Sequence, residues 1–161
     1  MATRTRRASA ARADSPGASD YGPAMAFESL DDAYADYELL EADDRYRLLI
    51  DLGRALEPMP DALKTDATLV RGCSAAVWLY PVTRPDGRLH FLADSNAAIT
   101  KGIVALILLA VQDRAPGEIL GHDIEAELAR FDLSNQLSSN RTQGIPNMIA
   151  LIRETAGRLA G

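Results

Sequence analysis

Cys73 is the one cysteine in 161 residues. A solitary thiol excludes an internal disulfide, a multi-cysteine zinc site and a resolving-cysteine redox pair within the chain. Two uses remain open to it: a thiolate nucleophile, or a small hydrophobe packed in the core. Its neighbours, Val70-Arg71-Gly72-Cys73-Ser74-Ala75-Ala76-Val77-Trp78, place it where a loop hands over to a strand. Gly72 permits a backbone conformation that other residues reach only with strain. Arg71 favours the thiolate if its guanidinium points the right way. An apolar surround of Val70, Val77 or Trp78 pushes the other way, and the residues alone leave that contest open.

Other candidates are thinner. His90 and His122 are the only histidines, and neither has a metal-ligating neighbour at useful spacing. A cysteine–histidine hydrolase needs one of them beside Cys73 together with an orienting group. His90, on a strand, reads as structural. The acid pairs Asp43-Asp44 and Glu125 with Glu127 read as solvated helix faces.

Size and charge narrow the class. At 17.4 kDa the chain is one domain. A net charge of −6 argues against a general nucleic-acid binder, which needs a basic footprint. The longest apolar run, Ile103 to Val111, is half the length needed to span a bilayer and reads as a buried helix. No membrane association is expected. Residues 1–27, rich in Ala, Arg, Ser, Gly and Pro, lack a sustained apolar period and read as a disordered tail. Arg4, Arg6, Arg7 and Arg12 make an organelle transit peptide an alternative to a variable leader. Asp14 and Asp20 arrive too early to favour it.

The elements that position Cys73 follow from periodicity. A helix is expected from Leu30, with Asp31 and Asp32 capping its start and complementing its positive end. Tyr46, Leu49, Ile50 and Gly53 form a stripe on a second helix, which Glu57-Pro58-Met59-Pro60 ends. Residues 76–82 and 88–94 read as strands around the turn Arg84-Pro85-Asp86-Gly87. Pro81 places its strand at an edge or a bulge. Ser95 or Asn96 is expected to cap a central helix running to about Val111. Pro116 suits a helical first turn. Asp123 caps a helix that turns Ile124, Leu128 and Phe131 inward. The last helix carries Ile145, Ile149, Ile152, Ala156 and Leu159 on one stripe, and Pro146 requires that it start near Ile145 or kink there. Trp78 reads as core or cavity lining. The order gives an α+β fold, a small antiparallel β-sheet of about three strands packed against several α-helices.

From about Leu30 to Leu159 the chain resembles the SufE-like sulfur-acceptor family of iron–sulfur cluster assembly, which includes the CsdE branch. The resemblance is carried by Gly72-Cys73 followed by Val77-Trp78. It continues through Asp94-Ser95, then Ile99, Lys101 and Gly102 before an apolar helix, and through Leu137-Ser138, Arg141 and Gly144. It implies that residues 28–161 form a SufE-like domain. It also implies that Cys73 takes persulfide sulfur from a cysteine desulfurase (SufS- or CsdA-like) and hands it to an iron–sulfur scaffold (SufBCD-like). Pyridoxal phosphate would belong to the desulfurase alone, and this chain would bind no cofactor directly. The implied partner-binding residues are Arg71, Gly72, Ser74, Asp94, Ser95, Asn96 and Arg141. Capping explains Asp94 and Ser95 equally well, and an internal salt bridge serves Arg141 slightly better than a partner contact.

The implied location is cytoplasmic, and a homodimer stays open. Ala75 and Ala76 stand where many members have serine and glutamine, and Asn96 where an acid is usual. These departures question hydrogen bonds around the sulfur and the choice of desulfurase. Two rival readings remain: a module that docks on the desulfurase and activates it without carrying sulfur, and an independent thiol-dependent hydrolase or peroxidase.

Overall fold

The computed structural model describes residues 27–160. Helix α1 (Leu30–Tyr37) leads to α2 (Ala42–Arg54) and a short 3-10 turn (Asp61–Leu63). Strands β1 (Val77–Thr83) and β2 (Leu89–Ser95) follow, then α3 (Ala98–Val111), α4 (Pro116–Leu120) and α5 (Ile124–Ala129). The short turns α6 (Leu133–Gln136) and α7 (Ser139–Thr142) precede α8 (Ile145–Ala160).

Helix α3 is the axis. Its sequence is apolar on nearly every face, and all but Ala98, Lys101 and Leu109 of its residues are buried. Against it pack α1, α2, α5, α7 and β2, while α8 packs on α4. The α2–α3 crossing is close because Gly53 faces Gly102. A Cβ on Gly53 would lie 2.7 Å from the Gly102 nitrogen, and one on Gly102 would strike the Leu49 carbonyl. The buried face of α2 is Leu49, Leu52 and Gly53, while Tyr46 is exposed. The expected stripe is therefore rotated toward Leu52, because the face is set by the contact with Gly102.

The hairpin is antiparallel, with Val77 opposite Ser95 and Thr83 opposite Leu89. Strict alternation on β2 buries Leu89, Phe91, Ala93 and Ser95 on the α3 side. Both strands run one residue later than expected. At the turn Gly87 adopts φ +89°, and its N–H donates to the Arg84 carbonyl at 2.8 Å. The sheet has two full strands, and a third segment touches it at one residue. There Leu69 bridges Trp78, Val70 N–H donates to Val77 O (2.8 Å) and Leu79 N–H to Thr68 O (2.9 Å). Pro81, two residues past Leu79, turns its N–H-less nitrogen to this same outer edge, as a strand proline must. On the opposite edge the Gln112 side chain imitates a strand, accepting from Phe91 N–H (2.7 Å) and donating to Phe91 O (2.8 Å).

Several caps differ from expectation. Ser29, not Asp31 or Asp32, caps α1 by accepting from Asp32 N–H, and the two acids fill the first turn. Neither Ser95 nor Asn96 caps α3. Its N-cap is Ala97, because β2 runs through Ser95 and straight into the helix. Asp123 does cap α5, and Pro116 opens α4. Helix α8 begins at Ile145 with Pro146 in its first turn, where a missing N–H costs nothing. Its exposed end includes Leu159, so the expected stripe stops at Ala156. Of the tail expected over residues 1–27, residues 1–26 lie outside the described part, whereas Phe27 is partly buried against the core.

Candidate functional site

Cys73 stands in the loop between the Leu69–Val70 bridge and β1, and the start of α8 closes over it. The thiol is half-buried. Its Sγ lies 4.0 Å from the Gly144 carbonyl, which also accepts the first α8 hydrogen bond, from Met148 N–H. Gly144 is required by this approach: a Cβ there would collide with Sγ and lie 3.1 Å from the Cys73 Cβ. Gly72 adopts φ +84°, a left-handed conformation that side chains rarely tolerate. A Cβ on it would also strike the Asn147 amide.

Hydrogen bonds to the last third of the chain flank the sulfur. Before Cys73, Asn147 Nδ2 donates to Arg71 O at 3.0 Å. After it, Ser74 Oγ donates to Asn140 O at 2.5 Å. The loop's exit is pinned at Ala76, whose N–H donates to Asn96 Oδ1 (3.1 Å) and whose carbonyl accepts from Ser95 Oγ (2.7 Å). Asn96 thus supplies the oxygen an acid would supply, without the charge.

Burial pushes the Cys73 thiol above its ordinary pKa. Of the two effects weighed from the residues, desolvation is the one that acts on the sulfur. Arg71 is exposed to solvent, and the desolvation of the sulfur dominates. The shift disfavours the thiolate, the nucleophilic form of the sulfur.

Of the residues singled out beforehand, Arg71, Gly72, Ser74, Asn96 and Arg141 are exposed in this neighbourhood. Arg141 lies on α7 beside the Ser74–Asn140 bond and, among the described residues, forms no ion pair, so the expected internal salt bridge is absent. Ser95 faces inward, while Asp94, opposite Trp78 on the outer hairpin face, is committed to partners within the chain. Asp94 takes Lys64 at 2.6 Å and Lys101 at 3.2 Å and accepts from Ser95 N–H. Burial alone would raise its pKa, yet Lys64, the Ser95 N–H and Lys101 together hold it below the ordinary carboxylate value. Trp78 is not core: it sits on the outer hairpin face, its ring centroid 5.8 Å from Lys64 Nζ.

The histidines stand apart from the thiol. His90 pairs with Val82 near the hairpin turn, clamped between Glu57 (2.7 Å) and Asp113 (2.9 Å). His122 faces Glu127. The Glu125 face is more than solvated: Arg153 grips its carboxylate with two 2.6 Å bonds, tying α5 to α8. Among the described residues no group of three or more His, Cys, Asp or Glu is placed to hold a metal ion, and no helix is long and apolar enough to cross a membrane.

Asn147 and Asn140 had no local signal. Asn147 reaches the loop with its side-chain amide and Asn140 only with its backbone carbonyl, each across more than sixty positions of sequence; an asparagine near a helix start reads as ordinary capping chemistry, and a carbonyl leaves no mark in the residue type. A groove of about 590 Å³ beside the loop was equally invisible; it is lined by Leu69, Arg71, Gly72, Asn147, Leu151 and Glu154, among others.

Comparison with known proteins places this geometry. The model of the SufE family, the Fe-S metabolism associated domain, matches residues 31–156. The sulfur acceptor protein CsdE of Escherichia coli K12 is 36% identical over 128 residues, covering 78% of this chain and 84% of that protein. The cysteine desulfuration protein SufE of Wigglesworthia glossinidia brevipalpis is 30% identical over 114 residues, covering 71% of this chain and 79% of its own length. In fold, the chain is similar to the solution structure of a hypothetical protein from Thermus thermophilus. The TM-score is 0.67 at 14% identity, covering 81% of this chain and 95% of that one.

Proposed function

The chain belongs to the SufE family, and from that premise we propose that it accepts persulfide sulfur from a cysteine desulfurase on Cys73 and delivers it to an iron–sulfur scaffold. The observation that carries this reading is the seat of the thiol. A solitary cysteine stands on an exposed loop, sheltered by one carbonyl and one helix end, with no base and no metal cluster beside it among the described residues.

That arrangement suits exchange between sulfurs, which needs an accessible thiolate rather than a triad. The Cys73 thiolate attacks the terminal sulfur of the donor persulfide. A new S–S bond forms on Cys73, the donor's S–S bond breaks, and the donor cysteine leaves as a thiolate. Cys73 now carries the persulfide. A second thiol nearby would displace that sulfur by closing a disulfide; this chain has none. Shelter against Gly144 limits the solvent exposure that leaves a thiolate or persulfide sulfur open to oxidation. Pyridoxal phosphate belongs to the donor enzyme, where it supplies the chemistry that releases sulfur from cysteine.

The exposed Arg71, Gly72, Ser74, Asn96 and Arg141 form the contact surface for the desulfurase, and Asp94 and Ser95 hold that surface in shape from beneath. The setting is the cytoplasm.

Desulfurase turnover of cysteine, measured with and without this protein, tests the reading. Wild type is expected to stimulate and Cys73→Ser not to. Equal stimulation by Cys73→Ser would overturn the relay and identify an allosteric activator. Turnover of a thiol substrate without any partner would identify an independent enzyme.

A further inference from the structure

We propose that a cavity between α1 and α2 binds a small neutral α-amino acid as its zwitterion, with the carboxylate on Arg45 and the ammonium on Asp43. Its walls come from α1, α2 and the end of α6, none from the cysteine loop. Cysteine or alanine as the natural occupant rests on the sulfur-acceptor reading: taking sulfur from cysteine leaves alanine, so the donor's substrate and co-product are both of this class.

The cavity measures about 150 Å³. One water needs about 10–15 Å³, so the space admits a molecule of several heavy atoms. Ala42, Leu49 and Leu137 give it apolar surface, and Arg45 gives it a positive charge. The guanidinium is already oriented. Its Nε donates to Tyr37 O at 3.0 Å and its Nη2 to Glu38 O at 3.3 Å, and its carbon lies 4.7 Å from the centre of the Tyr37 ring. Among the described residues Nη1 keeps its donors uncommitted, and no carboxylate pairs with the group. No side chain caps α2, so the N–H groups of its first turn, at Ala42 and Asp43, add to the positive end.

A bare anion does not suit the site, because Asp43 lines it too. Its neighbour Asp44 is taken by Arg47 at 2.7 Å, whereas Asp43 has no ion pair among the described residues. A bare cation meets Arg45. A molecule carrying both charges satisfies both walls, and the apolar surface takes a short side chain. Tyr37 is an independent mark of a ligand. The residue lines the cavity and is 1% exposed, and its hydroxyl has no hydrogen-bond partner among the described residues. An unpaired buried hydroxyl costs stability and calls for a bound group to explain it. A carboxylate held by Arg45, which lies over that same ring, supplies the missing acceptor.

The test is a titration of L-alanine, which carries no thiol of its own, into the isolated full chain, followed by backbone amide signals in nitrogen–proton correlation spectra. Saturable shifts are expected at Ala42, Asp43 and Leu137, with a dissociation constant of about 1 mM, a strength that so small a ligand can supply. Acetate, which lacks the ammonium, is expected to bind more weakly. Tyr37→Phe removes only the unpartnered oxygen, so the melting temperature without ligand is expected to hold or rise. Its L-alanine binding is expected to weaken about 10-fold or more, the loss of one hydrogen bond to a charged group. Asp43→Asn is expected to weaken L-alanine about 2- to 5-fold while tightening acetate, opposite changes that a merely structural residue does not produce. Arg45 is left intact because it also holds the end of α1.

The site is overturned by any of three results: no saturable shift up to roughly 50 mM L-alanine, acetate binding as tight as L-alanine, or Tyr37→Phe and Asp43→Asn both binding as wild type does. The titration needs no desulfurase. Binding in a chain that never gains sulfur would leave the site standing and overturn the sulfur-acceptor reading instead, and sulfur gain without binding would do the reverse.

Discussion

At Cys73 two requirements oppose one another: attack on a persulfide needs the thiolate, and burial against Gly144 disfavours it. In the isolated chain burial tips the balance toward protection, and the proposed sulfur transfer requires that balance to be reversed. The pH profile of alkylation in the isolated protein reports the balance. Its midpoint is expected above the roughly 8.5 of a free thiol. A midpoint at or below that value would mean that Arg71 outweighs desolvation. The same residues show what sequence can and cannot reveal. Cys73 was legible because its type and its solitude are chemical facts, and Gly72 because a loop before a strand invites a positive φ. The influence of Arg71 on the thiol was not legible, since it depends on how α8 shelters the sulfur. Nor was the use of Asn96, whose amide oxygen serves Ala76 where an acid was expected.

The elements depend on a few close approaches. Gly102 lets α2 lie on the central helix, with Leu49 and Gly53 against its backbone. Gly102→Ala drives a methyl into the Leu49 carbonyl and is expected to cost about 1–3 kcal/mol or more. That is roughly 2–12 °C in Tm for a chain of this size. Gly117→Ala, with open space around it, is the control and is expected to leave Tm unchanged or slightly raised. Equal effects from the two would contradict the close-crossing account. Helix and strand positions were readable because 3.6- and 2-residue periods mark which face is buried. Pro116, Asp123 and Pro146 fixed helix starts through their own backbone chemistry. The rotation of α2 toward Leu52 was not readable, because Tyr46 and Leu52 are both apolar enough to face inward. Only the Gly53–Gly102 contact decides between them. Likewise Trp78 looked like core by composition, while β1's alternation put Val77 and Leu79 inward and left the indole beneath Lys64.

Across the whole molecule, the pattern of perturbed groups predicts how stability follows pH. Against the upward push of burial, Asp94 and Asp113 are held below the usual carboxylate range by Lys64 with Lys101 and by Arg84 with His90. Arg153 holds Glu125 there too. Carboxylates with lowered folded pKa values contribute stability that is present above about pH 4 and lost as pH falls through those values. Tyr37 and Cys73 are shifted upward, chiefly by burial. Their contribution is present at neutral pH and lost as pH rises through their raised values. Thermal melts from about pH 3 to pH 10 are thus expected to be flat near neutrality and to fall at both ends. A Tm that rises toward the acid end would contradict this. The fold class and the family were legible across most of the chain because many short motifs keep their order and spacing. The shelter around the thiol was not, because it is built from residues far apart in sequence. The most direct test of the central claim is the intact mass of the protein after incubation with its cysteine desulfurase and cysteine. Wild type is expected to gain one sulfur atom, lost again on reduction, and Cys73→Ser none. No gain on wild type while the desulfurase turns over, or an equal gain on Cys73→Ser, would contradict the account.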